Sequence, residues 1–160
     1  MDVSLDPCAY CDILAGRAEA SLVFQDETAI VVMDGNPVNP GHALVVSRVH
    51  AGGLEDLDEE IGAHMWRLAQ RVARGLRRSG LRCEGVNIFV ADGEVALQDV
   101  FHAHIHVFPR FEGDNVVVDA DCEPRDRRLL LKEAWALQEA MKPLVAAPSA
   151  EMFPHHAPTL

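Results

Sequence analysis

The residues best suited to chemistry lie in one short run, Phe101-His-Ala-His-Ile-His-Val-Phe108, with histidines at 102, 104 and 106 and apolar residues between them. On a β-strand alternate side chains share a face. The spacing therefore predicts three imidazoles on one side and Ala103, Ile105 and Val107 on the other, with Pro109-Arg110 ending the strand. Neighbours on one strand face lie about 6.6–6.8 Å apart and the outer pair about 13 Å, whereas zinc–nitrogen bonds are only about 2.1 Å. One ion cannot easily hold all three, so the row divides its labour. Neutral imidazole is a good nucleophile when its other nitrogen donates to a fixed acceptor. His104, with a histidine on either side, is best placed to attack a phosphorus atom. His106 is placed to donate to a phosphate oxygen or to assist a leaving group, and backbone N–H groups of the preceding loop can hold the other oxygens.

A second pattern is Cys8-Ala-Tyr-Cys11, which has metal-ligand spacing. Two ordinary thiols or a redox pair are the competing readings. A redox pair usually follows a strand and opens a helix, and this one precedes every expected strand. A zinc site needs four ligands, for which His50 and His102 are candidates to join the two cysteines. Cys83 and Cys122 stand alone and read as packing or surface thiols.

These groups need a frame. Ser21–Gln25 and Thr28–Met33 flank a turn at Asp26-Glu27, and His42–Ser47 follows the loop Asn36-Pro-Val-Asn-Pro-Gly41. With Val86–Val90 and Val100–Phe108 these are strand-length runs rich in Val, Ile and Phe. Leu57, Ile61, Leu68, Val72 and Leu76 recur at helical spacing between Leu57 and Arg78, acidic at the start and basic at the end, as the helix dipole favours. A second helix is expected from about Arg125 to Met141, between Pro124 and Pro143. Short connections between successive strands imply a mainly antiparallel sheet with two helices, an α+β fold. One domain is expected over residues 1–145, with 146–160 as a flexible tail whose His155–His156 pair reads as solvated.

Composition narrows the partners. Of the 160 residues 49% are hydrophobic and 24% charged, the balance of a soluble globular protein. The net charge of −11 argues against a nucleic-acid polymer or a membrane surface as partner. No apolar run approaches the ~20 residues of a membrane span, and the acidic N-terminus is unlike a signal peptide. A cytoplasmic location is the expectation, with the thiols reduced.

With these residues in view, the chain resembles the histidine-triad (HIT) family of nucleotide hydrolases and transferases, most of all its bacterial zinc-containing members. The resemblance rests on His102-Ala-His104-Ile-His106-Val-Phe108 within Gln98–Arg110, on Cys8-Ala-Tyr-Cys11-Asp-Ile-Leu-Ala-Gly16, and on Met33-Asp-Gly-Asn-Pro-Val-Asn-Pro-Gly-His42. It implies a HIT-like fold and a hydrolase that binds an AMP-like purine nucleotide. The substrate would be a nucleoside phosphoramidate or a dinucleoside polyphosphate, cut at the α-phosphate. His104 would form a nucleotidyl-histidine intermediate and His106 would contact the phosphate. Asp34 would hold the ribose hydroxyls, Gln98 and the backbone at Asp99 the phosphate, and His42 would stand beside the triad. It further implies one structural zinc on Cys8, Cys11, His50 and His102, no organic cofactor, and a homodimer, for which Val86–Val90 and the helix from Leu57 are the candidate surfaces. The alternative is a nucleotide-binding or zinc-stabilised interaction module without turnover. The chain departs from the family at Leu97, often glycine, and at Asp99, often a small hydroxyl residue. Gly35 and Asn36 also replace commoner apolar residues near the base pocket. A carboxylate facing a phosphate would be repelled, so either the Asp99 side chain points away or the substrate differs.

Overall fold

A computed structural model describes residues 8–145. The tail from 146, with His155 and His156, lies outside them. The chain divides into two compact units, Met1–Val117 and Val118–Leu160.

The first unit is built on a five-stranded sheet of β1 (Leu22–Gln25), β2 (Ala29–Met33), β3 (Ala43–Ser47), β4 (Gly85–Phe89) and β5 (His104–Arg110). The strand order is β1-β2-β3-β5-β4, and every neighbouring pair is antiparallel. This is the mainly antiparallel α+β arrangement that the strand runs predict. A short helix, α1 (Ala9–Leu14), precedes the sheet, and α2 (Glu59–Leu76) joins β3 to β4.

The strands at the centre are buried on both faces, which explains why they read as continuous apolar runs rather than alternating ones. Ala29 and Val31 of β2, Ala43 and Val45 of β3, and Ile105 and Val107 of β5 meet Met65, Leu68, Ala69, Ala73 and Leu76 of α2. The intervening residues Ile30, Val32, Leu44 and Val46 form a second core with Tyr10, flanked by Cys8, Ile13 and Leu14. On β5 the same alternation puts His104 and His106 on the face opposite the α2 core. Leu44 pairs with His106 and Val46 with His104.

α2 begins where Asp58 accepts hydrogen bonds from the backbone of Glu60 and Ile61, and Glu59 and Glu60 occupy its first turn. The helix starts two residues later than its apolar spacing from Leu57 suggests, because Asp58 caps it. α1 was too short to show a period. Its cap is Cys8, whose sulfur accepts from the Cys11 N–H. In the second unit α3 (Arg127–Met141) starts at Asp126, whose carboxylate accepts from the Arg128 N–H. Among the described residues no helix is long and apolar enough to cross a membrane.

The turn into β3 is sterically exacting. Gly41 has φ 103°, and a Cβ there would lie 3.1–3.2 Å from Leu81, Leu76 and Pro109. Gly41→Ala should cost about 1–3 kcal/mol from backbone strain alone, read as a lower urea midpoint at unchanged m-value. An unshifted midpoint would show that the turn relaxes freely.

Candidate active site

β5 starts at His104, not at Val100, so only two of the three histidines belong to the strand. His102 lies in the bend before it. Ser47 N–H still reaches the Ala103 carbonyl at 3.4 Å, which keeps this bend against the end of β3. The strand also runs through Pro109 to Arg110. Beyond Val107 it has only β4 beside it, so a proline without an N–H is tolerated there.

His104 Nδ1 lies 2.7 Å from the carbonyl oxygen of His102. A carbonyl only accepts, so Nδ1 carries the proton and, in the neutral ring, Nε2 presents its lone pair. His106 Nε2 is 3.0 Å from that lone pair and must donate to it. This leaves His106 Nδ1 as an acceptor, 3.0 Å from His42 Nε2, which donates in turn. His42 Nδ1 then accepts from the Val38 N–H at 3.3 Å. The three rings form a one-way row of hydrogen bonds that begins at a backbone N–H and ends at a backbone carbonyl. Asp34 Oδ2 also stands 3.3 Å from His42 Nδ1 and 4.0 Å from His106 Nδ1, while its Oδ1 accepts from the Asn36 N–H at 2.8 Å. His42 Nδ1 therefore has a donor and an acceptor at equal range, and either protonation state of the ring finds a partner.

A second cluster lies at the other end. Cys8, Cys11, His50 and His102 offer ligand atoms that all lie within 4.8 Å of one another. His102 Nδ1 is 3.4 Å from Cys8 Sγ and 3.6 Å from Cys11 Sγ, and His50 Nδ1 is 3.3 Å from Cys11 Sγ. Around a tetrahedral zinc with ordinary bond lengths, sulfur and nitrogen ligands stand about 3.6 Å apart. His102 Nε2 donates to the Ser47 carbonyl at 2.8 Å, which leaves Nδ1 unprotonated and aimed at the sulfurs, the tautomer a metal needs. The donor set therefore fits zinc.

The HIT domain family matches residues 15–113. The chain belongs to that family. An uncharacterised HIT-like protein of Mycobacterium tuberculosis is 37% identical over 142 residues, 84% of this chain and 96% of that one. The crystal structure of a zinc-bound histidine triad family protein from Mycobacterium smegmatis is 38% identical and covers 83% of this chain and 96% of its own, with a TM-score of 0.66. An adenylylsulfatase of Arabidopsis thaliana is 28% identical over 107 residues, 67% of this chain and 54% of its own length.

Two residues of this HIT chain take parts that their sequence context does not reveal. Gln98, expected at the phosphate, is buried and turned inward. Its Oε1 accepts from the Gly93 N–H at 2.8 Å, and its Nε2 donates to the carbonyls of Gly52 (2.7 Å) and Val100 (3.2 Å). The side chain shapes the loop, in which the N–H groups of Gly93, Ala96, Leu97 and Gln98 are all bonded internally. Tyr10, between the two cysteines, sets its ring edge-on to His102 (centroids 5.7 Å) and His104 (4.9 Å). Its place inside Cys-x-x-Cys was the only sequence signal. Asp99 is exposed at the end of the same loop.

Burial governs the protonation of the site. It lowers His42 and His102 and, helped by His104 and His42 nearby, takes His106 down to about 4, partly opposed by Asp34 and Asp99. The Tyr10 hydroxyl is pushed up by burial, then by Asp99, Asp34 and Cys8. An unfolded histidine titrates near 6.5, so between about 4 and 6.5 the unfolded chain binds more protons than the folded one. The stability contributed by a neutral His106 is complete above about 6.5 and is lost as pH falls toward 4. His106→Gln should flatten the decline of the urea midpoint between these limits. Identical slopes for the two proteins would refute burial as the cause.

Proposed function

We propose that this protein is a nucleotide hydrolase that cuts at the α-phosphorus of a nucleoside phosphoramidate or a dinucleoside polyphosphate through a nucleotidyl-histidine intermediate. The observation that carries this reading is the His104 ring, whose Nδ1 proton is committed to the His102 carbonyl so that Nε2 carries the lone pair, with His106 Nε2 as its proton-donating neighbour. The AMP moiety is the part held. Asp34 accepts from the ribose hydroxyls, the backbone N–H of Asp99 takes a phosphate oxygen, and Tyr10 offers an apolar face beside the two.

In the first half-reaction His104 Nε2 forms a bond to phosphorus, and the bond from phosphorus to the leaving group breaks. His106 gives its Nε2 proton to the leaving atom and takes the His42 Nε2 proton at Nδ1. His42 enters this step charged, with its Nδ1 proton toward Asp34, and leaves it neutral. In the second half-reaction water attacks phosphorus and the nitrogen–phosphorus bond breaks. The water's proton returns along the row to His42, so the protein ends as it began. His104 stays the nucleophile, with His42 and Asp34 acting through His106.

Zinc on Cys8, Cys11, His50 and His102 would tie α1 to the bend that carries the His102 carbonyl, and its closed shell leaves no position to activate water. Two copies paired through the β4 edge, where Phe89 and Val90 are exposed, and through Trp66 of α2 would make the homodimer.

Purified protein should release AMP from adenosine phosphoramidate or a diadenosine polyphosphate, and His104→Ala should not. His106→Asn should lower kcat by about 10²–10⁴-fold. Retained turnover in His104→Ala would sink the nucleophile assignment. Metal analysis of the same preparations should find about one zinc per chain, absent in Cys8→Ser. A zinc-free native protein removes the site.

A further inference from the structure

Cys8 and Cys11 precede every strand, yet they open a helix as a reversible dithiol pair does. Cys8 caps α1, and its sulfur accepts from the Cys11 N–H at 3.4 Å. Both sulfurs converge on one atom, His102 Nδ1, at 3.4 and 3.6 Å. All four ligand atoms of the cluster lie within 4.8 Å of one another, so the two sulfurs are no farther apart than that. A disulfide needs about 2.05 Å between them, a step that side-chain rotation can supply. The pair is also within reach of solvent. Cys8 and Cys11 are half-buried, and Cys11 Sγ is 3.3 Å from Nδ1 of His50, which is exposed. Of the other thiols, Cys83 donates to the Gly85 carbonyl, and Cys122 belongs to the second unit.

We propose that Cys8 and Cys11 are a reversible oxidation site for hydrogen peroxide and small hydroperoxides, and that its closure to a disulfide expels the zinc and frees the backbone carbonyl that orients His104. Metal-ligating sulfurs are thiolates, the form that attacks a peroxide. The Cys11 thiolate, nearer the surface, bonds to one peroxide oxygen and the oxygen–oxygen bond breaks. Hydroxide leaves and takes a proton from solvent, and Cys11 is left as a sulfenic acid. The Cys8 thiolate then bonds to the Cys11 sulfur, the sulfur–oxygen bond breaks, and a second hydroxide leaves and is protonated. One peroxide is reduced to two waters, and two thiolates are oxidised to one disulfide. His50 and His102 remain, two ligands where zinc needs four. The loss reaches the histidine row by two routes. His102 Nδ1 loses its partners, and the carbonyl of the same residue holds the His104 Nδ1 proton. Tyr10 lies between the two cysteines, with its ring 4.9 Å from that of His104, and moves with them. The oxidation site stands on its own geometry; its effect on turnover rests on the hydrolase reading above.

The test uses zinc-loaded full-length protein carrying Cys122→Ser, so that an exposed thiol outside the cluster consumes no oxidant. Hydrogen peroxide is added in steps beside a zinc-binding dye. About one zinc should be released for every two thiols lost, and peptide mass analysis should place the missing pair of hydrogens on Cys8 and Cys11. Dithiothreitol with added zinc should reverse both changes. Cys8→Ser should stop at a sulfenic acid on Cys11, trapped by dimedone. The coupling to the row has a readout that needs no turnover. The hydrogen-bonded His104 Nδ1 proton should be seen by NMR in the reduced protein and be lost to exchange in the oxidised one. AMP release from adenosine phosphoramidate should fall by at least about tenfold on oxidation, since a displacement of about 1 Å at a reacting group costs up to about 10²-fold. Zinc that stays bound while peroxide is consumed, oxidation that falls on Cys83 instead, or a disulfide that leaves the His104 proton unchanged overturns the proposal. A protein that closes the disulfide, releases zinc and loses that proton, but turns over nothing in either state, keeps the oxidation site and removes the hydrolase reading.

Discussion

The hydrogen bond from His104 Nδ1 to the His102 carbonyl sets the direction of everything around it. By holding one proton on one nitrogen it fixes the tautomer of His104, and each later ring must then donate the way its neighbour requires. Move that proton to Nε2 and the Nδ1 lone pair would face the carbonyl's own at 2.7 Å, while His106 and His42 would each have to shift their protons to the other nitrogen. The acceptor is a backbone atom of the residue whose ring faces the two thiols. The position of His104 is thus tied to the proposed metal centre through the frame of a single residue, with no side chain in between.

The row sits where it does because a sheet buried on both faces can hold imidazoles neutral. One face of β5 is closed by Met65 and Leu68 of α2. The other presents its histidines to a shell that includes Tyr10 and the buried His42. A charged ring in that setting is costly, and a neutral one must have both nitrogens satisfied. No buried side-chain nitrogen or oxygen among the described residues lacks a partner. His42 Nδ1, with the Val38 N–H on one side and Asp34 on the other, is the one place where a further proton can be accommodated at little cost. This explains why a carboxylate stands beside a buried imidazole of the row.

Much of this was legible in the residues, and the parts that were not have definite physical causes. Alternation at 103–107 fixes which side chains share a face whatever the strand's exact start, so the pairing of His104 with His106 followed from spacing. Spacing says nothing of where the ladder ends, and the start of β5 at His104 depends on the reach of β3, a partner sixty residues away in sequence. The two cysteines declared a metal pair, but the closeness of His50 and His102 to them was carried by family resemblance and comes in the structure from tertiary packing. The part Gln98 plays inside its loop was hidden for a general reason. A buried amide and a ligand-binding amide look alike in sequence, and only the positions of the Gly52 and Val100 carbonyls distinguish them. α1, six residues long, is closed by a cysteine sulfur rather than by a conventional cap, so neither period nor capping signal announces it.

The loop before the triad keeps its path without help from its outward side chains. Leu97 has φ 71°, a left-handed conformation that a leucine adopts only under constraint. The Gln98 amide imposes that shape from within, binding Gly93 and Gly52 so that the backbone path is kept even with an unfavourable residue at 97. In the proposed reading the phosphate is held by a backbone N–H, which every residue except proline supplies, so the holding function does not depend on what the exposed side chains of Leu97 and Asp99 carry.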